Sequence, residues 1–246
     1  MKKRSGIAIV AAAMAAGPAW AEPIGAMPDD GTFMPIDFRA FHNAPMSLLG
    51  SNYPTGAITL GEVPFAIPKR VTNNIWISDP TFRSNDPVEV EFPINLFGVD
   101  DFHVLVNSFW GLNGQSHVAF EFDLVLDGGG PRLDDEPDET YRFELVGGEH
   151  IREYIQSSHT NTITSPLTQQ VYLSDNGQRR LDMLSLDLPE SFRNGTLTKM
   201  RVIDTGGVGI HRTAIGGMTV LLNPIPAPGS LTLLAFGGVL ATRRRR

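Results

Sequence analysis

The chain has 246 residues, of which 20 are basic and 27 acidic, giving a formal charge of −7 at pH 7, and it contains no cysteine. The missing thiols exclude disulfides, cysteine-built zinc sites, thiol catalysis and iron–sulfur chemistry. Seven of the 20 basic residues lie at the extreme termini; the 13 that remain face 27 acids, so residues 22–242 carry a formal charge of −14, which repels phosphate backbones and excludes nucleic acid as a natural partner.

At the N-terminus, Lys2, Lys3 and Arg4 precede an apolar stretch from Ile7 to Ala16 and then Ala19-Trp20-Ala21. A positive segment, a short apolar core and a small-x-small site are the parts of a secretory signal peptide. Signal peptidase would cut after Ala21, remove residues 1–21 and leave Glu22 first. The alternative is an uncleaved anchor, but the apolar stretch is far short of the ~20 residues that span a bilayer. Residues 22–34, rich in Pro, Gly and Asp, read as a lead-in.

Between residues 35 and 223 the pattern is one of short β-branched and aromatic runs bounded by turn residues. It predicts strands over 35–41, 62–67, 74–78, 88–92, 102–109, 117–126, 141–146, 151–155, 171–174, 181–188, 197–204 and 214–222. Val88-Glu89-Val90-Glu91-Phe92 alternates strictly, as a half-buried strand does. No stretch sustains an amphipathic helical period over three turns. The expectation is an all-β domain, an antiparallel two-sheet β-sandwich.

Several pieces of this region resemble galactose-binding-like jelly-roll domains. They are Gly61-Glu62-Val63-Pro64-Phe65, Asn73-Asn74-Ile75-Trp76-Ile77, Phe109-Trp110-Gly111, Leu126-Asp127-Gly128 and His150-Ile151-Arg152-Glu153-Tyr154. The resemblance implies a jelly-roll sandwich with loops at one end able to hold a sugar or a structural Ca²⁺, and a binding or accessory role rather than catalysis.

The densest charge run is Asp134-Asp135-Glu136-Pro137-Asp138-Glu139, between two predicted strands. Asp134, Asp135, Glu136, Asp138 and Glu139 supply hard oxygen ligands of the kind Ca²⁺ takes, although their spacing is not that of the twelve-residue Ca²⁺ loop. The plainer reading is a solvated acidic hairpin loop. No cofactor other than such a Ca²⁺ is expected. The six histidines form no HExxH motif, and no Gly-x-Ser-x-Gly elbow is present. The glycine clusters at 128–130 and 206–209 lack the Lys-Ser/Thr of a phosphate loop and read as turns. No acid pair stands out as the two carboxylates of a glycoside hydrolase.

Trp110 is the best ligand-contact residue in the sequence. It ends an apolar run and is followed by Gly111, Asn113, Gly114 and Gln115, so an indole could face a sugar ring while Asn113 and Gln115 meet its hydroxyls. Tyr154 and Trp76 are weaker choices, and the plain alternative for Trp110 is a core plug.

The chain ends with Pro226-Ala227-Pro228-Gly229 as a linker (224–229), an apolar run from about Ser230 to Thr242, and Arg243, Arg244, Arg245 and Arg246. As a helix rising ~1.5 Å per residue the run covers roughly 20 Å, against a ~30 Å hydrocarbon core. Four arginines would hold its end on the cytoplasmic side. The layout resembles the PEP-CTERM sorting signal, with Pro226 and Pro228 matching its prolines and Ala227 standing where the motif has an acid. The resemblance implies recognition by a membrane exosortase, a transient inner-membrane stage, removal of the tail, and delivery to the cell surface or extracellular matrix.

The expected protein is thus an exported, surface-sorted, non-catalytic sandwich that contacts glycan or matrix polysaccharide. The alternatives are a passive structural matrix protein assembled with Ca²⁺, and a carbohydrate-active enzyme.

Overall fold

A computed structural model describes residues 31–50, 52–69, 72–84, 86–126, 136–156, 160–206 and 211–223. The predicted signal peptide with Ala19, Ala21 and Glu22, the Pro226 to Arg246 tail, and Asp134 and Asp135 all lie outside the described residues. The strands are β1 (Thr32–Pro35), β2 (Gly56–Leu60), β3 (Val63–Ile67), β4 (Trp76–Ile77), β5 (Val88–Phe97), β6 (Val99–Phe109), β7 (Ser116–Leu126), β8 (Glu139–Val146), β9 (Thr168–Leu173), β10 (Arg180–Asp187), β11 (Gly195–Asp204) and β12 (Arg212–Leu222). Among the described residues no helix is long and apolar enough to cross a membrane.

The domain is all-β, and every strand pair is antiparallel. One sheet runs β1-β12-β6-β10-β9 with β4 also on β12; a second runs β5-β11-β7-β8; β2 and β3 form a separate hairpin. Numbered as eight successive strands, β4, β5, β6, β7, β8, β10, β11 and β12 lie in the order 1-8-3-6 in one sheet and 2-7-4-5 in the other. That is the strand order of a jelly roll.

Strand alternation builds the layers. On β5 and β11, apolar residues such as Phe92, Met200 and Val202 face the core, and the intervening charges face out. There Arg201 pairs with Glu89, Glu91, Glu121 and Asp123 across neighbouring strands. The main core lies between the two large sheets, with Phe102, Val104, Ile215 and Val220 against Phe92, Phe120, Phe122 and Leu197. The remaining residues of β6 point to the opposite face. Leu105 and Phe109 form a second core with Phe65 and Ile67 of β3 and with Met46, Ile75 and Met183. The expected two-sheet sandwich therefore carries a third, smaller layer, and the six-stranded sheet is covered on both faces.

Three elements differ from the sequence pattern. The expected strand over 35–41 is instead β1 followed by a 3₁₀ turn at Arg39–Phe41. Asp37 takes the Arg39 N–H and grips its guanidinium, and this local bonding competes with a ladder. The expected strand over 151–155 forms only isolated bridges, because it spends its backbone on the end of β6: Ser108 N–H donates to the Arg152 carbonyl and Tyr154 N–H to that of Ser108. Strand β2 has no counterpart in the sequence pattern. It joins β3 through Gly61 (φ 56°) and Glu62 (φ 70°), a two-residue left-handed hairpin turn.

Candidate functional site

The described parts of four connections converge at one end of the sandwich: 78–84 with 86–87, 110–115, 147–156 with 160–167, and 205–206 with 211. The registers require it, since Phe109 faces Arg212, Asp204 faces both Val118 and Val88, and Val118 faces Leu145. Trp110 lies there, just beyond β6, and is 39% exposed. It is not a core plug. Trp76 is one: it is buried, with its ring edge-on to Phe92.

Trp110 has φ 52° and Phe82, in the 78–87 connection, has φ 53°. Two bulky residues in the left-handed region each cost on the order of 1–3 kcal/mol, and such residues persist only where the surroundings hold them. Here they hold each other, with rings 5.6 Å apart and perpendicular. Phe109 sits 4.9 Å from Phe82 and 4.6 Å from Tyr154, and the Arg179 guanidinium lies over Tyr154. Tyr154 is thus a half-buried support for the cluster rather than its outer edge.

The Phe82 turn is fixed by Asp79. Its carboxylate accepts from Thr81 N–H and hydroxyl, Arg83 N–H and Ser84 N–H at 2.6–3.1 Å, and from Arg212 at 3.3 Å. Burial pushes the Asp79 carboxyl up, but the bonds from Thr81, Ser84 and Arg83 outweigh it and hold it well below the usual carboxylate range.

Asn113 and Gln115 are exposed on the same connection. Asn113 lines an open, shallow depression of about 250 Å³ with Glu149, Thr162 and Thr164. Two of its lining residues need to be glycine: Gly148 has φ 81°, and a Cβ on Gly147 would collide with the Leu112 carbonyl oxygen. Gln115 contributes through its backbone, its carbonyl taking the Gly147 N–H at 2.9 Å.

Beneath this end lies a buried polar cluster that no sequence motif announced. Asp204, 1% exposed, accepts from Ser78 hydroxyl (2.6 Å), Thr213 N–H (3.0 Å), Thr213 hydroxyl (2.8 Å) and Gly206 N–H (2.9 Å), with His211 Nδ1 at 3.4 Å. Serine, histidine and aspartate converge here, but not as a nucleophilic triad. Ser78 donates straight to the carboxylate, so no imidazole stands ready to take its proton. A second buried network joins Asp182 of β10 to Asn107 of β6 (2.8 Å) and bidentately to Arg152 (2.7 and 2.9 Å). Both are internally satisfied carboxylates that fix elements to one another.

Of the acidic residues expected to offer Ca²⁺ ligands, the described ones, Glu136, Asp138 and Glu139, belong to the opposite end. Asp138 accepts the Leu126 N–H at 2.8 Å and so caps β7; Glu136 is exposed and Glu139 begins β8. At that same end the carboxylates of Asp100, Asp101 and Asp187 approach within 4.8 Å of one another. Arg193 already compensates two of them, at 2.5 Å from Asp100 and 3.5 Å from Asp187.

No family model matches the chain, and no curated protein matches it. A solved structure described as the Agl-KA catalytic domain is similar at 12% identity over 72% of this chain and 30% of that chain, with a TM-score of 0.27. The chain spans under a third of that protein, and a likeness this low carries no argument.

Proposed function

We propose that the chain is an exported, non-catalytic jelly-roll module that contacts glycan at the cell surface or in extracellular matrix through the Phe82–Trp110 edge. The observation that carries this reading is an indole held exposed, in a left-handed conformation, on a perpendicular phenyl ring at the loop end. An amphipathic ring fixed in that way offers a flat apolar surface at little further entropic cost. The amide, carboxylate and hydroxyls around Asn113 supply partners for sugar hydroxyls at the same end. With a formal charge of −14 over residues 22–242, the module favours neutral or cationic saccharides over polyuronates. Export by signal peptidase and sorting by an exosortase-type enzyme rest on the two terminal sequences.

A glycan array read with the mature chain and with Trp110→Ala tests the contact. Retention should fall about tenfold in the variant, equivalent to about 1.4 kcal/mol. Absence of binding to any saccharide, or an unchanged profile in the variant, sinks the reading. Intact-mass measurement of surface-extracted protein should show residues 1–21 and the arginine tail gone; full-length cytoplasmic material would overturn export.

A further inference from the structure

His117, in β7, and His211, just before β12, face each other beneath the loop end. Their ring centroids are 4.8 Å apart at an interplanar angle of 37°. Both are sealed, at 6% and 1% exposed, and His117 Nε2 is buried with no hydrogen-bond partner among the described residues. Asp204 from β11 stands against His211 and ties the two large sheets together through Ser78 and Thr213. One step further out, Arg212 donates to the His211 carbonyl and to Asp79, whose carboxylate shapes the Phe82 turn.

We propose that the His117–His211 pair is a proton-operated latch: with no more than one ring charged the Asp204–Thr213 tie between the two large sheets stays closed, and a second proton parts it and loosens the Phe82–Trp110 edge. The balance of charge supports this. Asp204 from β11 can offset one imidazolium, while Arg212 from β12 is a further positive charge already taken up by Asp79 from the 78–87 connection. A second imidazolium would place like charges side by side in a buried site, where among the described residues Asp204 is the carboxylate that meets the pair. Burial and the neighbouring His211 hold His117 below the usual imidazole range, against the smaller pull of Asp204. A histidine lowered in the folded state costs stability as the pH falls below its unfolded value of about 6.5. The closed form is therefore favoured at neutral pH and weakened in mild acid.

The latch itself stands apart from the glycan reading; only its effect on binding rests on it. Hydrogen exchange on the full chain, corrected for intrinsic rates, should show the Thr205, Gly206 and Thr213 amides exchanging about tenfold faster at about pH 5 than at about pH 7.5. His117→Phe keeps a stacked ring without its proton and should flatten that dependence. A flat wild-type profile, or the same dependence in His117→Phe, overturns the latch. Exchange rising equally throughout β6 would mean global acid unfolding, and would overturn it too. Should His117→Phe fail to fold, ring-proton titration of the wild type decides: two coupled steps support the latch, and two independent imidazoles titrating in the ordinary range refute it. Glycan retention measured over the same pH range separates the claims, since loss of binding at every pH would sink the glycan contact while local exchange still decides the latch.

Discussion

At the end of the sandwich away from Trp110, backbone bonds and one aromatic plug close the gap between the sheets. Gly98 N–H donates to the Gly195 carbonyl, Asn223 N–H to that of Gly98, and Leu188 N–H to that of Asp100. The 3₁₀ turn Glu190–Asn194 lowers Phe192 fully into the main core. Charged side chains there stay wet, with Asp187 76% and Arg193 38% exposed. At the Trp110 end the strands part into longer connections, and buried polar side chains do the fastening: Asp204 with Ser78, Thr213 and His211, and Arg212 with Asp79. Where the main chain supplies closure, ionisable groups are free to remain solvated. Where loops splay apart, closure passes to buried charge, and that end inherits a dependence on protons.

Two substitutions of similar size test this contrast most sharply. Phe192→Ala should cost about 3–5 kcal/mol by opening a cavity in a site that cannot collapse. Asp204→Ala should cost a similar amount, about 3–5 kcal/mol, by stranding buried donors on both sheets. Denaturant titrations at several pH values should tell them apart. Burial pushes the Asp204 carboxyl up, but His211, Ser78 and Gly206 pull it below its ordinary value. Its contribution is therefore present above the unfolded carboxylate value and lost as the pH falls through the lower folded one. The Asp204→Ala penalty should shrink in strong acid while that of Phe192→Ala persists. Identical pH profiles would erase the distinction between the two ends.

A smaller effect comes from the middle of the sheet. His103 on β6 is 7% exposed and bonded to Ser185, and burial pushes its imidazole down to about 4. Stability should fall as the pH drops from about 6.5 towards 4. His103→Gln should remove up to one proton from that slope, about 1.4 kcal/mol per pH unit. An unchanged slope would assign acid sensitivity to the loop end and to His42, whose imidazole burial also pushes down to about 4.

Much of the sheet architecture was legible because it is written at short range. Val88 to Phe92 alternates, and the strand alternates in burial. The run from Phe102 to Phe109 is mostly apolar and continuously buried because both of its faces are covered. The third layer was hidden, since its hairpin turns on Gly-Glu rather than the Asn-Gly that announces a left-handed turn, and β2 begins with glycine and alanine. Trp110 could be singled out from its local sequence. Its partner Phe82 lies 28 residues earlier in the chain, and only the fold joins them. The same holds for Asp204 and Ser78, 126 residues apart, and for Asp182 and Asn107, 75 apart. Polar networks leave no periodicity, so nothing in the chain marks them before it folds.

The smallest expected effect lies at the backbone-closed end. Arg193 bonds to Asp100 and Asp187 on the surface, and burial together with those two acids already pushes the Asp101 carboxyl up. Exposed pairs of this kind are weakened by salt and by the freedom of their side chains. Arg193→Ala should therefore leave the denaturation midpoint within error of the wild type in high salt. It should instead raise the Asp101 titration further in low salt, because one of the charges opposing its neighbours has gone; carboxyl chemical shifts followed through acid pH would read this directly. A loss of stability comparable to that of Phe192→Ala would mean that charge fastens this end as well, and the contrast between a main-chain closure and a side-chain closure would fail.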